Sequence, residues 1–308
     1  MYQEITLHHL PSTKNIHVLF GWEAIEARPN LDPYTSTLRI DEETQQVFTT
    51  DVHLKHHTRR GMKVHATEKL GAGRTAIFYE KTDERGESRN FEERLNSIRS
   101  QFNLKEKSER DAYLHCLDLP LFGYVHAVKD ENFNVVNAAN TLFRPSTFHA
   151  CRILTLGKNN AFPTGEKESS GSAVQDVLEY GFFLALWEVS LNTLEANARA
   201  HKVISWKDQG VKTWLELFLN GIWRAYTDAR YSSATQRSQF ANFVVAWEPT
   251  GEIKPINPKN LIQELEEPEV ENSVQAIAAL KPLLPKFLKA WGYQEPLAER
   301  NINQYLSA

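Results

Sequence analysis

The chain has 308 residues, 41% hydrophobic and 24% charged, with a formal net charge of −4. That length allows one large domain or two ordinary ones, and that balance excludes a chain disordered throughout. No apolar run approaches bilayer-spanning length, and the opening MYQEITLHHLPSTK has no apolar core of a signal peptide, so a soluble cytoplasmic protein that touches no membrane is expected.

In chain order, residues 15–27 (NIHVLFGWEAIEA) read as a strand, and 28–50, with Pro29, Asn30, Asp32 and Pro33, as a loop. Asp51 is the expected N-cap of a helix from Val52 to about Met62, with a narrow apolar stripe of Val52, Leu54 and Met62. Gly71 to Arg74 reads as a turn, and TAIFYE (75–80) as a returning strand. The polar stretch 82–110 holds one exposed helix in NFEERLNSIRSQF. A compact apolar block follows over 112–128, broken by Pro120 and Gly123, and then strand-like FNVVNAANTLF and FHACRILTL.

After Leu156 the chain turns Gly-, Ser- and Asn-rich around Phe162-Pro163, which reads as a long functional protrusion. EYGFFLALWEVSL (179–191) is the strongest strand candidate. Helical patterns occupy 192–202 and 211–229, SQFANFVVAWE (238–248) is a last strand, and 273–293 is a helix split at Pro282 and Pro285. Strands and helices intermingle without βαβ spacing, which predicts an α+β fold. Trp206, Trp214, Trp223 and Trp247 fall on apolar faces and are expected in the core. Cys116 and Cys151 belong to no CxxC and are expected as buried small hydrophobes.

Charge is unevenly placed. From Val52 to Arg74, six cations (Lys55, Arg59, Arg60, Lys63, Lys69, Arg74) face the single acid Glu68, and His53, His56, His57 and His65 add donors. Glu264, Glu266, Glu267, Glu269 and Glu271 crowd one later stretch. Such a split predicts a basic groove and an acidic back. Cations at helical spacing can follow a phosphate backbone without reading bases. The competing reading is a solvated helix face. No metal is expected at His53-x-x-His56-His57, because no acid or Cys stands nearby in register, and no cofactor is expected elsewhere. Asp32 is expected to form a turn on its own backbone.

Three ordered segments resemble a known family. They are Arg28-Pro-Asn-Leu-Asp-Pro33 with Leu38-Arg-Ile-Asp-Glu-Glu-Thr44 and Thr50-Asp-Val-His-Leu-Lys55 plus Arg59; Asp118-Leu-Pro-Leu-Phe-Gly123; and Glu179 to Val189 leading into Leu194-Glu-Ala-Asn197. Together, over roughly 20–245, they resemble the backbone subunit of type I CRISPR interference complexes, the Cas-seven family of the RAMP superfamily. Leu31 stands where many relatives have Gly, and Leu119-Pro120 where Val-Arg is usual. The compact size fits a type I-F variant, with types I-B and I-C as alternatives.

The resemblance implies a hand-shaped single domain over 1–308. Its palm would be an RNA-recognition-motif or ferredoxin-like sheet, with a finger insertion at 82–115, a thumb at 154–177 and a helical extension at 250–308. Copies would line up along a guide crRNA, each thumb displacing every sixth nucleotide, to present the guide for pairing with target DNA. Partners would be the crRNA, target DNA, further copies of the chain, and Cas-five-like and Cas-six-like subunits. The guide contacts expected are Lys55, His56, Arg59, Arg60, Lys63 and Arg74 on the basic segment, Arg144 and Arg152 on strands beside the thumb, Lys158 and Phe162 on it, and Gln236, Arg237 and Gln239 in a polar loop. No catalytic residue is expected. The alternatives are a ribonuclease of the same superfamily using Asp32, and a protein–protein scaffold.

Overall fold

The computed structural model describes residues 3–80, 90–104, 109–127, 132–159, 172–207, 209–227, 240–254, 256–266 and 268–306. Strand β1 (Asn15–Ala27) is followed by helix α1 (Asp51–Leu70), helices α2 (Phe91–Gln101), α3 (Glu109–Tyr113) and α4 (Leu119–Phe122), and the ribbon β2 (Tyr124–Ala127) and β3 (Asn132–Val135). Short strands β4 (Ala139–Thr141) and β5 (Ser146–Thr147) precede the hairpin of β6 (Ile153–Asn159) and β7 (Ser172–Ser190). Then come α5 (Leu191–Ala198), α6 (Gly210–Thr227), β8 (Phe243–Trp247), α7 (Ser273–Leu280), α8 (Leu284–Ala290), β9 (Pro296–Arg300) and α9 (Asn303–Leu306). The α+β expectation holds.

β1 and β7 pair antiparallel from Asn15↔Ser190 to Ala27↔Leu178. Around them the sheet runs β4-β7-β1-β8-β9, with β5 and β6 also on β7. Both faces of this pair are covered, so both strands read as near-continuous apolar runs. Val18, Phe20, Trp22 and Ala24 of β1 join Phe183, Ala185 and Trp187 of β7 under α1 and α6. Leu19, Phe182, Leu184 and Leu186 face the other way, against Leu261, Leu280, Leu284, Phe287 and Trp291 of the C-terminal layer. A smaller cluster of Phe78, Leu95, Ile98, Tyr113, Cys116, Leu119 and Tyr124 sits under α2 and α3.

Several expectations are corrected. The N-cap of α1 is Thr50, whose hydroxyl accepts from the His53 amide, and Asp51 is the first helical residue. The helix does not stop near Met62 but runs to Leu70, because Gly61, Met62, His65 and Ala66 pack inward. Val52 is 73% exposed and no part of the buried stripe. Residues 75–80 are not a strand: Phe78 and Tyr79 donate their amides to the Asp118 carboxylate (2.7 and 3.1 Å), and Ala76 makes an isolated bridge to Cys116. The 250–308 extension is helical only in part, since β9 pairs with β8. Trp214, Trp223 and Trp247 are buried and Trp206 packs against the core, as expected. Cys116 is fully buried; Cys151 is half-buried, and burial pushes its thiol up to about 11.

The contact of α1 with α6 is close because two glycines meet. A methyl on Gly61 would overlap the carbonyl oxygen of Gly221, and one on Gly221 would press into Met62. Neither backbone can retreat from the sheet beneath. Replacing Gly61 with Ala is expected to cost about 2–3 kcal/mol, read as a lower urea midpoint with an unchanged slope. An unchanged midpoint would mean the two helices can slide apart.

Candidate nucleic-acid interface

The basic segment folds as α1, but four of its six cations meet acids, three of them from outside the helix. Lys55 Nζ is 2.8 Å from Asp51, whose other oxygen accepts from Thr141 Oγ1 at 3.0 Å. Lys63 Nζ lies 2.5 Å from Glu80, which also holds Arg94 at 3.3 Å. Lys69 reaches Glu4 at 2.7 Å, and Glu68 takes Arg224. Arg60 and Arg74 are exposed, and His56 is half-buried. The excess seen in sequence is thus largely neutralised in space, by Asp51 at the start of the helix and by acids outside it.

Arg59 stands apart. Lys55 is as buried (8% exposed against 9%), but Arg59 alone meets a fully buried acid, with Nε 3.2 Å from Asp118. Its guanidinium lies 4.7 Å from the Tyr79 ring centre and 4.9 Å from that of Phe122. With the amides of Phe78 and Tyr79 on the same carboxylate, this ion pair stitches α1, the 76–80 segment and α4 together. Asn197 Nδ2 adds a second tie, donating to the carbonyls of Pro120 and Val136 (3.0 and 2.8 Å). Sequence reasoning missed Tyr79, Glu80 and Asp118 as neighbours of the basic row. No local signal marks them, because their partners are 17 to 59 positions away.

Asp32 forms its turn as expected: its carboxylate accepts from the amides of Tyr34 (2.9 Å) and Thr35 (3.2 Å), and Arg39 lies 3.3 Å away. Those amides hold its carboxyl below the usual range. Tyr34, at the tip, is 95% exposed. Arg144 lies in the connection between β4 and β5, not on a strand, with its guanidinium 3.7 Å above the Phe48 ring and 3.2 Å from Asp41. Arg152 lies just before β6, 3.7 Å from Glu179. The backbone of Lys158 is on β6, at the far end of the hairpin stem. Phe162, Gln236, Arg237 and Gln239 lie outside the described residues.

Two histidines of α1 are neutral at physiological pH. Burial lowers His53 to about 4 and His57 to about 3, with His56 adding to both and His53 and Arg60 adding to the second. The buried His149 and His201 are lowered to about 4 in the same way. An unfolded imidazole titrates near 6.5. Between about pH 6.5 and 4 the unfolded chain therefore binds protons that the folded chain refuses, so stability is full above that window and falls as the pH drops through it.

Acidification from about pH 7.5 to 5 is expected to cost on the order of 1–2 kcal/mol per such imidazole, seen as a falling Tm; a Tm that rises would refute the buried neutral state. Separately, Arg59→Ala, which strands the Asp118 carboxylate, is expected to lose about 3–5 kcal/mol, whereas Arg60→Ala and Arg74→Ala stay within about 0.5 kcal/mol by urea denaturation.

The family model described as CRISPR-associated protein Cas7 matches residues 14–276. A solved structure titled "CRISPR RNA-guided surveillance complex, pre-nicking" is similar with a TM-score of 0.53 at 12% identity, over 90% of this chain and 89% of that one. Another, titled "CRISPR RNA-guided surveillance complex", has a TM-score of 0.50 at 11% identity, over 90% and 85%. These likenesses are of fold. No curated protein matches the chain.

Proposed function

Because the chain belongs to the CRISPR-associated protein Cas7 family, we propose that it is a non-catalytic backbone subunit of a type I interference complex (Cascade) that binds guide crRNA. The observation that carries this reading is the family match itself, which runs from the start of β1 into α7 and so takes in every strand of the sheet but β9, together with α1 and the β6–β7 hairpin. In this reading the sheet is an RNA-recognition-like palm. The order β6-β7-β1-β8, with α1 and α6 on one face, supports that assignment, being the strand–helix–hairpin–helix–strand connectivity of ferredoxin-like folds. The 82–115 segment would be the finger and 154–177 the thumb, with β6 and β7 as its stem.

The guide would pass along α1, meeting Arg60 and Arg74 first. Lys55, His56 and Lys63 would join as phosphates replace Asp51 and Glu80 as their partners. Arg59 would serve the site as its brace. Arg144, Arg152 and Lys158 flank the thumb stem, and Phe162, Gln236, Arg237 and Gln239 complete the proposed set. Backbone contacts without base readout suit a subunit that must accept any spacer, since pairing between guide and target DNA supplies sequence specificity. Further copies along the guide and Cas-five-like and Cas-six-like subunits at its ends are the partners implied. The non-catalytic reading is supported by Asp32, whose carboxylate is already engaged by two amides and Arg39.

Expressed with a CRISPR array, the protein is expected to purify with RNA whose nuclease footprint repeats about every six nucleotides. The combined Arg60→Glu, Lys63→Glu and Arg74→Glu variant should fold yet bind RNA far more weakly, with the salt slope reduced by about 1 for each phosphate that is no longer neutralised. Nucleic-acid-free protein whose assembly ignores these changes would favour the scaffold. Metal-dependent RNA cleavage abolished by Asp32→Ala would favour the ribonuclease.

A further inference from the structure

The HxxHH sequence on α1 is used by neither the core nor the proposed guide path in full. In the fold, the Nε2 atoms of His53 and His57, one turn apart, approach to 3.0 Å. Their ring centres are 4.4 Å apart with the planes at 68°, and His56 packs edge-on against His57 at 5.4 Å. His53 Nδ1 is engaged by the Thr49 hydroxyl at 2.9 Å. That bond orients the ring and leaves Nε2 as the atom presented to His57. His57 is 5% exposed, and its Nδ1 is buried without a hydrogen-bond partner.

We propose that His53 and His57 form a binding site for a divalent transition-metal ion of the zinc class. Two imidazole nitrogens bound to one tetrahedral zinc lie about 3.3 Å apart, given Zn–N bonds of about 2.0–2.1 Å. The observed separation needs to open by only about 0.3 Å. Imidazole nitrogen is the donor that Zn²⁺, Ni²⁺ and Cu²⁺ share, whereas Mg²⁺ and Ca²⁺ take oxygen. The Thr49 contact is the outer support that ligating histidines require to fix the ring and its tautomer. On binding, the proton now shared between the two Nε2 atoms moves from His57 Nε2 to the bare Nδ1 of the same ring, so that both rings ligate as neutral imidazoles.

Among the described residues no group of three or more His, Cys, Asp and Glu is arranged to hold a metal. The site is therefore a two-imidazole chelate whose remaining positions water would fill. It does not depend on the guide-binding reading. The sequence expectation of no metal rested on the lack of an acid or Cys in register. The fold supplies instead convergence of two nitrogens and an oriented second atom, neither of which spacing alone reveals.

The test is titration of the full chain, freed of nucleic acid, with ZnCl₂ and NiCl₂ by calorimetry at about pH 7.5. One ion per chain is expected, with a matching rise in Tm, and MgCl₂ should give neither. His53→Gln and His57→Gln should each weaken binding at least tenfold, and Thr49→Val about tenfold, while the exposed His8→Gln changes nothing. Should the His57 variant fail to fold, the half-buried His53 variant and the cobalt absorption spectrum of the wild-type chain carry the same test. Binding unchanged in His53→Gln, or no binding above that of the double variant, would overturn the proposal. Loss of RNA binding with zinc binding kept would overturn the guide reading alone.

Discussion

The molecule is organised by one constraint: the β1–β7 pair must be buried on both faces. A pair this long, with Val18, Phe20 and Trp22 on one side and Leu19, Phe182 and Leu184 on the other, cannot leave either side to water. Two helical layers follow from it. The α1–α6 layer comes close to the sheet through the Gly61–Gly221 contact, and the C-terminal layer closes the opposite face. Because α1 is clamped between α6 and the sheet, its solvent-facing row is held in fixed register, and a row in fixed register can track a polymer of regular spacing.

That placement also governs the electrostatics. A basic helix laid beside the 76–80 segment acquires counter-ions whether or not a ligand is present. Glu80 bridges Lys63 and Arg94, and Asp51 holds Lys55. Asp51, Lys63 and Glu80 are half-buried while Lys55 and Arg94 are buried, so water screens these pairs only in part. A phosphate at Lys63, the more accessible of the two lysines, could displace Glu80 while that carboxylate keeps Arg94 as its partner. The Arg59–Asp118 pair is of another kind, since Asp118 is wholly buried and accepts two amides besides. Exchanging that carboxylate would strand it in the interior. The same helix thus carries cations that can change partners and one that cannot.

The elements legible in sequence were those whose cause is local. β1 is found at the residues its pattern marks, and the split of α7 from α8 follows Pro282 and Pro285. Asp32 makes its turn because the turn closes within three residues. What sequence could not show was set by distant partners. The end of α1 depends on α6, which offers Gly221 to Gly61 across 160 positions. Residues 75–80 have the composition of a strand, yet the Asp118 side chain satisfies two of their amides, so no strand partner is needed. β9 was hidden because a short run before a terminal helix has little periodicity of its own, and its partner β8 decides its state.

The charge run shows the limit of counting along a chain. Read linearly, six cations against Glu68 make a bare basic face. Read in space, Glu4, Glu80 and Asp118 come from three other places to meet Lys69, Lys63 and Arg59, and Asp51, at the start of the same helix, meets Lys55. The net charge of −4 is consistent with both descriptions, because it fixes a sum and not an arrangement. For a strand binder the consequence is physical. Field from the whole protein contributes little to capture at physiological salt, where charges beyond about 8 Å are screened. In such a binder, affinity would have to come from short-range exchange of carboxylate for phosphate, one cation at a time.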